Sequence, residues 1–418
     1  MLFEKHKDEL FKLLLYAKEN VPFYRDLYSD IELKYEEFNY EFFRTKIPVV
    51  HKSDISEYEY NNLAEKYVND RSKLRVERTS GSTGTPFVCY KDNRTRIALA
   101  SNLMEYRKFY SDEFTVNSQY ASFYGIIKID GVRHSNEIFV HKNVLYIPVL
   151  ELDTAHLTEI WKAVCDFKPL WLMGTATSIY HLAECVKSNS LPEYKFGFIE
   201  LNGELVSDFY YEYIKDVFKC SVTNHYGMRE LWCIGYSCPK NHLHISDKTV
   251  YVEDIYDEEV KDNLLLCTSL NNYAAPFIRY QIGDRGIVKH EPNCCFGGTN
   301  YTLDVSNGRI SCFFECGGKK INLFIFALII KNIVDEAGRI KIIQYQVLKT
   351  GASSLIIKVV VNSSVTLNAE DIEQIKREIK VFAQAEMNIE IQPVQYLNAQ
   401  ENGKTPEFLD ISRKCGEK

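Results

Sequence analysis

The chain has 418 residues, of which 45% are hydrophobic and 26% charged, with a formal net charge of −7. That composition is ordinary for a globular protein and the length suits two or three domains. The acidic balance excludes a general nucleic-acid binder, because no basic excess is available to neutralise phosphates. From residue 2 to about 19, apolar residues recur at helical spacing with acids and bases between them, and Asn20-Val-Pro ends the pattern. The mixed charges predict an amphipathic helix, not a secretory leader, and the longest strongly apolar run, residues 323–330, is too short to span a bilayer. Both features point to a cytoplasmic protein, in which the twelve cysteines read as free thiols or a metal site rather than disulfides.

Residues 78–87 read RTSGSTGTPF. Four hydroxyls and two glycines precede a Thr-Pro step, and the short run after it, 88–90, has strand character. The spacing predicts a loop joining two strands of a hairpin. Its chemistry fits either a plain surface loop or a cradle in which N–H groups and hydroxyls converge on phosphate. A Walker loop is excluded, because Gly81 to Gly84 is too short and no lysine follows Gly84. Residues 94–110 return to helical spacing.

Between 120 and 223 the patterns alternate. Strands are predicted over 120–127, 143–150, 171–173, 197–201 and 221–223, and helices over 155–167, 178–188 and 209–218. Strands alternating with helices imply an α/β domain with a mostly parallel, helix-covered sheet. Residues 245–290 turn β-like, over 250–255, 263–268 and 286–290. Beyond them come a helix (323–336), two strands (340–349 and 354–361), a helix (369–385) and a strand (389–396). That order makes a small α+β unit, with a boundary near Ser311.

Five further stretches follow the loop in order: Asn202-Gly-Glu204, His225-Tyr-Gly-Met-Arg-Glu230, Tyr280-Gln-Ile-Gly-Asp284, Gly308-Arg309 and Asn402-Gly-Lys404. With the loop, they make the chain resemble the adenylate-forming superfamily of acyl-CoA synthetases and adenylation domains. Its phenylacetate–CoA ligase branch and related capsular-polysaccharide-biosynthesis proteins are the most similar. The AKENVPFY segment, Ile47-Pro48-Val-Val-His-Lys52 and Gly174-Thr-Ala-Thr-Ser178 add to the likeness, which covers nearly the whole chain. The resemblance implies a large N-terminal adenylation core of mixed sheets covered by helices (1–310) and a small, mobile α+β C-terminal lid (311–418).

The implied reaction joins a carboxylate to the α-phosphate of ATP, giving an acyl adenylate and pyrophosphate, and then passes the acyl group to an acceptor. Coenzyme A leads as acceptor, with a carrier-protein thiol or an amine as alternatives. A weak nucleophile meeting a polyanion needs cations, donors and alignment more than acid–base groups. By resemblance, Thr79, Ser80, Gly81, Ser82, Thr83 and Gly84 wrap the β- and γ-phosphates. Gly203 and Glu204 border the adenine, and Tyr226, between His225 and Gly227, stacks on it. Glu230 holds Mg²⁺, Asp284 accepts the ribose hydroxyls, Arg309 lies near the ribose, and Lys404 reaches the α-phosphate and the substrate carboxylate. Phe123, Tyr124, Gly125 and Gly174 border the acid.

Two positions depart from the family pattern. Arg229 stands where Thr or Ser is usual, offering a cation to a phosphate or an acid. Ser311 stands where Asp or Lys is frequent. These departures carry the alternative reading, a non-catalytic binding protein that has kept the fold. Glu315-Cys-Gly-Gly-Lys-Lys-Ile321 stands where a Gly-rich loop lines the thioester tunnel of coenzyme A ligases. Finally, Cys233-x4-Cys238-Pro-x2-His242-x-His244, followed by Cys294-Cys295, has the ligand types and spacing of structural zinc, with Cys233, Cys238, His244 and Cys295 as the expected ligands; buried free thiols are the other reading.

Overall fold

The structure, a computed structural model, describes residues 2–58, 61–78, 87–149, 152–204, 206–258, 260–292, 294, 299–305, 313–316, 318–336, 339–400 and 405–412. The chain divides into two units. The first comprises Met1–Gln119, Leu170–Met173 and Lys195–Ile310; the second comprises Tyr120–Pro169, Gly174–Tyr194 and Ser311–Lys418. The architecture is mixed α/β throughout.

In the first unit, strands Ile287–His290, Tyr301–Asp304, Leu243–Ile245, Trp232–Ser237, Ser221–Met228 and Phe198–Asn202 follow one another across a mixed sheet. Only Ser221–Met228 and Phe198–Asn202 pair in parallel among these; the others are antiparallel. The parallel pair is joined through helix Asp208–Phe218, whose N-cap Ser207 accepts from the Tyr210 amide. A three-stranded meander, Val250–Asp257, Asp262–Ser269 and Tyr280–Arg285, forms a further sheet. The N-terminal helix Leu2–Asn20 supplies Phe3, which packs with Phe38, Phe43 and Tyr251 of the meander. Each such buried aromatic stabilises the fold by about 1.5–3 kcal/mol. The predicted hairpin is present: Arg75–Arg78 pairs antiparallel with Val88–Lys91, Arg78 opposite Val88, and the loop between them lies outside the described residues.

In the second unit, Tyr120–Tyr124 runs parallel to Val144–Pro148, with helices Thr154–Phe167 and Ala176–Ser188 in the same unit. Its C-terminal part is a sheet ordered Asn388–Val394, Ser354–Val361, Ile342–Gly351, Phe408–Asp410, with helices Phe324–Lys331 and Ala369–Ala383. Ile329, Ile330, Val347, Ile357, Val359, Ile375 and Ile379 close its core. The predicted ββαβ order is observed there, with Phe408–Asp410 as an added parallel edge strand. The sequence expectation of a helix to 336 is shortened to Phe324–Lys331.

Candidate functional site

Strand Ser221–Met228 runs further than its apolar start suggests and carries His225-Tyr226-Gly227 into the sheet. In the parallel register Asn202 lies opposite His225, so the Asn202-Gly203-Glu204 turn and Tyr226 leave the same end of the sheet. Gly203 takes φ +77°, a conformation that favours glycine. Between Tyr226 and Gly227 the pairing with Trp232–Ser237 shifts register, and Gly227 passes so close to that strand that a Cβ would stand 1.7 Å from the Trp232 carbonyl oxygen.

A second bulge re-aims Asp284. Along strand Tyr280–Arg285 the register shifts between Leu264 and Leu266 of its partner, and Gly283 takes φ +83°. The displaced Asp284 accepts a hydrogen bond from the Tyr226 hydroxyl at 2.5 Å. Two motifs 58 residues apart in sequence therefore converge in the first unit, as one aromatic ring and one carboxylate.

Glu230 follows on the same segment and is 3% exposed. It shares the lining of a small cavity with Lys91, Thr95, Leu231, Thr249 and Asn272. Burial raises the Tyr280 hydroxyl far above its ordinary value, and the neighbouring Glu230 carboxylate adds to that rise. Lys91, fully buried at the foot of the hairpin, donates to the Arg229 carbonyl at 2.6 Å and to Glu77 at 3.1 Å; Trp232 Nε1 also donates to Glu77. The base of the 79–86 loop is thus strapped to the Arg229-Glu230 segment, while the Arg229 side chain is exposed. The Ile47–Lys52 stretch joins the same region: Val50 exchanges backbone hydrogen bonds with Arg279 and Gln281.

Beneath this surface lies a charged network that sequence reasoning missed. Glu200, 0% exposed, accepts from Arg107 Nε and Nη2 at 2.8 Å each, from the Tyr236 hydroxyl at 2.7 Å and from His225 Nδ1 at 3.3 Å. Burial alone would raise the Glu200 carboxyl, but Arg107 and then His225 hold it well below the usual carboxylate range. The signal in the sequence was a lone acid inside the apolar strand Phe-Ile-Glu-Leu, an expensive residue there unless paired.

The cysteine and histidine ligand types also assemble, with one correction. Cys238, His242, His244 and Cys294 bring their ligand atoms within 4.8 Å of one another. Cys238 Sγ lies 3.6 Å from Cys294 Sγ, and His242 Nδ1 and His244 Nε2 lie 3.3 and 3.1 Å from it. Cys233 is not in the group: its thiol faces the Gly235 carbonyl and the His225 ring. Five residues before Cys238 along a strand of alternating sides, it is presented elsewhere. Cys295 lies outside the described residues; its neighbour Cys294 is in the group. His244 Nδ1 is 3.3 Å from the Thr299 carbonyl, the outer partner that fixes a ligating imidazole.

The residues expected around the acid belong to the second unit. Phe123 and Tyr124 are buried on one strand, and the Tyr124 hydroxyl donates to the Glu137 carbonyl at 2.7 Å. The Phe123 ring lies so near Gly174 that a Cβ there would meet it at 2.8 Å. Gly125 follows, also buried. Thr79 to Gly84, Arg309, Ser311 and Lys404 lie outside the described residues.

No family model matches the sequence, and no curated protein matches it. Solved structures do. The chain is similar to 2-hydroxyisobutyryl-CoA ligase in the postadenylation state in complex with R3-HIB-AMP, with a TM-score of 0.69 at 16% identity over 98% of this chain and 90% of that one. Against the open conformation of that ligase with 2-HIB-AMP and CoA the TM-score is 0.59, at 16% identity over 97% and 91%. Against the anthranilate CoA ligase AuaEII in complex with anthranoyl-AMP it is 0.50, at 12% identity over 80% and 65%. The chain has the fold of the adenylate-forming ligases. No helix among the described residues is long and apolar enough to cross a membrane.

Proposed function

We propose that this chain is an ATP-dependent carboxylate-activating enzyme that forms an acyl adenylate and pyrophosphate and passes the acyl group to an acceptor, coenzyme A before a carrier-protein thiol or an amine. The observation that carries the reading is the Tyr226–Asp284 hydrogen bond, which joins the ring suited to a purine and the carboxylate suited to ribose hydroxyls in one place. The fold likeness to ligases solved with acyl-AMP ligands supports it. In this reading the 79–84 loop holds the outer phosphates, and the strand that follows it is tied through Lys91 to the Arg229 carbonyl. Glu230 offers Mg²⁺ the oxygen donor that hard cations prefer, and the ion would offset triphosphate charge. Lys404, on the 311–418 lid, approaches the α-phosphate and the acid, with Arg309 at the hinge. Phe123, Tyr124, Gly125 and Gly174 border the acyl group.

The test is ATP–pyrophosphate exchange over a panel of carboxylic acids. Exchange should depend on a particular acid, and Lys404→Ala should lose most of it while ATP binding persists. Exchange with no acid of the panel, alongside measurable ATP binding, would favour the non-catalytic reading. Wild-type exchange in Lys404→Ala would remove the lysine from the mechanism.

The Cys238, His242, His244 and Cys294 group fits structural zinc in this same reading. Two thiols and two imidazoles are a four-coordinate donor set, and the 3.1–3.6 Å separations from Cys294 Sγ are close to the edges of a tetrahedron with zinc–ligand bonds of about 2.0–2.3 Å.

A further inference from the structure

An ammonium costs much to bury unless it is paired, and a buried ion pair is weak evidence of stability. Lys91 ends strand Val88–Lys91 with a side chain 0% exposed. Its Nζ donates to Glu77 Oε2 at 3.1 Å and to the Arg229 carbonyl at 2.6 Å. Glu77, on the neighbouring strand Arg75–Arg78, also accepts from Trp232 Nε1 at 3.1 Å. Lys91 and Glu77 balance each other, so Glu230 is not needed to neutralise the lysine. Between these two ties lies the turn that carries Glu230. The Leu231 amide donates to the Met228 carbonyl at 3.2 Å, closing Met228-Arg229-Glu230-Leu231 as a β-turn. Trp232 then takes φ +61°, a left-handed conformation rare for a bulky residue. Such conformations persist only where the surroundings hold them, and they cluster at functional sites. Lys91 grips the turn just before Glu230, at Arg229, and Glu77 grips the chain just after it, at Trp232.

We propose that Lys91, acting with Glu77, is a positioning residue that presets the 228–231 turn and so holds the Glu230 carboxylate ready for a divalent cation. The inference rests on the reading of Glu230 as the Mg²⁺ carboxylate. The donor set suits such an ion. The cavity that Glu230 lines is also walled by Thr95, Thr249, Ser269 and Asn272, oxygen-bearing side chains of the kind that hard cations and their waters prefer. A turn shaped before the ion arrives spares binding the cost of ordering it, which is the physical advantage of the strap. The strap is suited to that task because Lys91 and Glu77 are 0% and 11% exposed, so salt and water screen their bond little. Metal carboxylates depend on such outer partners for their orientation.

The experiment measures ATP affinity by calorimetry on the full-length protein, across a Mg²⁺ titration and in EDTA. The wild type is compared with Lys91→Met, Glu230→Gln and the double variant. Lys91→Met keeps an unbranched side chain and removes the ammonium. It should raise the half-saturating Mg²⁺ concentration about tenfold, the lower end of what outer partners of metal ligands contribute. ATP affinity in EDTA should be unchanged. In the Glu230→Gln background Lys91→Met should add nothing, because the lysine acts through that carboxylate. A wild-type Mg²⁺ requirement in Lys91→Met overturns the proposal. An equal loss with and without Mg²⁺ means a merely structural role and also overturns it, as does an additive loss in the double variant. Where Lys91→Met fails to fold, Trp232→Phe decides. It removes only the indole N–H and loosens the other tie, so it should raise the Mg²⁺ requirement and spare affinity in EDTA; wild-type behaviour refutes the idea. A shift in Glu230→Gln but not in Lys91→Met sinks the proposal alone. No shift in Glu230→Gln removes that residue from metal binding and takes the proposal with it. Absence of exchange with every acid would sink the enzyme reading, while the calorimetry would still decide the role of Lys91.

Discussion

At position 227 a side chain has nowhere to go, because the Trp232 carbonyl occupies the space a Cβ would take. Gly283 has the opposite problem: its surroundings are open, but φ +83° strains any L-residue. The two glycines therefore separate steric from conformational cost. Gly283→Ala should cost about 1–2 kcal/mol, the left-handed penalty alone. Gly227→Ala should cost more, since backbone must move; overpacking typically costs about 1–3 kcal/mol and sometimes exceeds it. Urea unfolding of both variants measures the difference, and equal midpoints would show that the 226–227 bulge relaxes freely. Tyr226 and Asp284 were legible in the sequence as members of spaced motifs. The bulges that bring them to 2.5 Å were not, since a register shift depends on the partner strand. Arg107, Lys91 and Glu77 were missed for a related reason: a buried charge looks solvated until its partner is known.

The clearest case at the level of elements is the thiol–imidazole group. Cys238 follows strand Trp232–Ser237, His244 lies within Leu243–Ile245, and Cys294 follows Ile287–His290, so one ion would clamp three strand ends. The turn between the first two is preset by the Cys238 amide donating to the His242 carbonyl at 2.9 Å. Purified protein should contain about one equivalent of zinc by elemental analysis, and Cys294→Ser or a strong chelator should lower the Tm by several degrees. Protein isolated under reducing conditions with under a tenth of an equivalent, or with an intact mass showing a Cys238–Cys294 disulfide, ends the zinc assignment. Of the four expected ligands, Cys238 and His244 are in the group, Cys233 is not, and Cys295 lies outside the described residues.

Across the whole chain, the second unit joins segments far apart in sequence. Glu184 of helix Ala176–Ser188 accepts from Ser363 at 3.1 Å, and His181 of the same helix lies beside Gln344. Burial lowers the His181 imidazole to about 4, against the raising influence of Gln344 and Glu184. Its folded value is thus below its unfolded value, and between about pH 6.5 and 4 the unfolded chain binds the extra proton. Stability from this group is full above pH 6.5 and falls on acidification, by up to about 3 kcal/mol at pH 4. His181→Gln should flatten the acid side of the Tm–pH curve; a curve with unchanged slope would exclude His181 as its source. The amino-acid sequence by itself determined the α/β class, the order of most helices and strands, and the motif residues, because periodicity, caps and turn chemistry act over a few neighbours. Tertiary structure alone decided which motifs meet, which charges are paired in the interior, which cysteines face the imidazoles, and that residues 120–169 and 174–194 share a unit with 311–418. Those outcomes depend on strand register and burial, which couple residues hundreds of positions apart and leave no local trace.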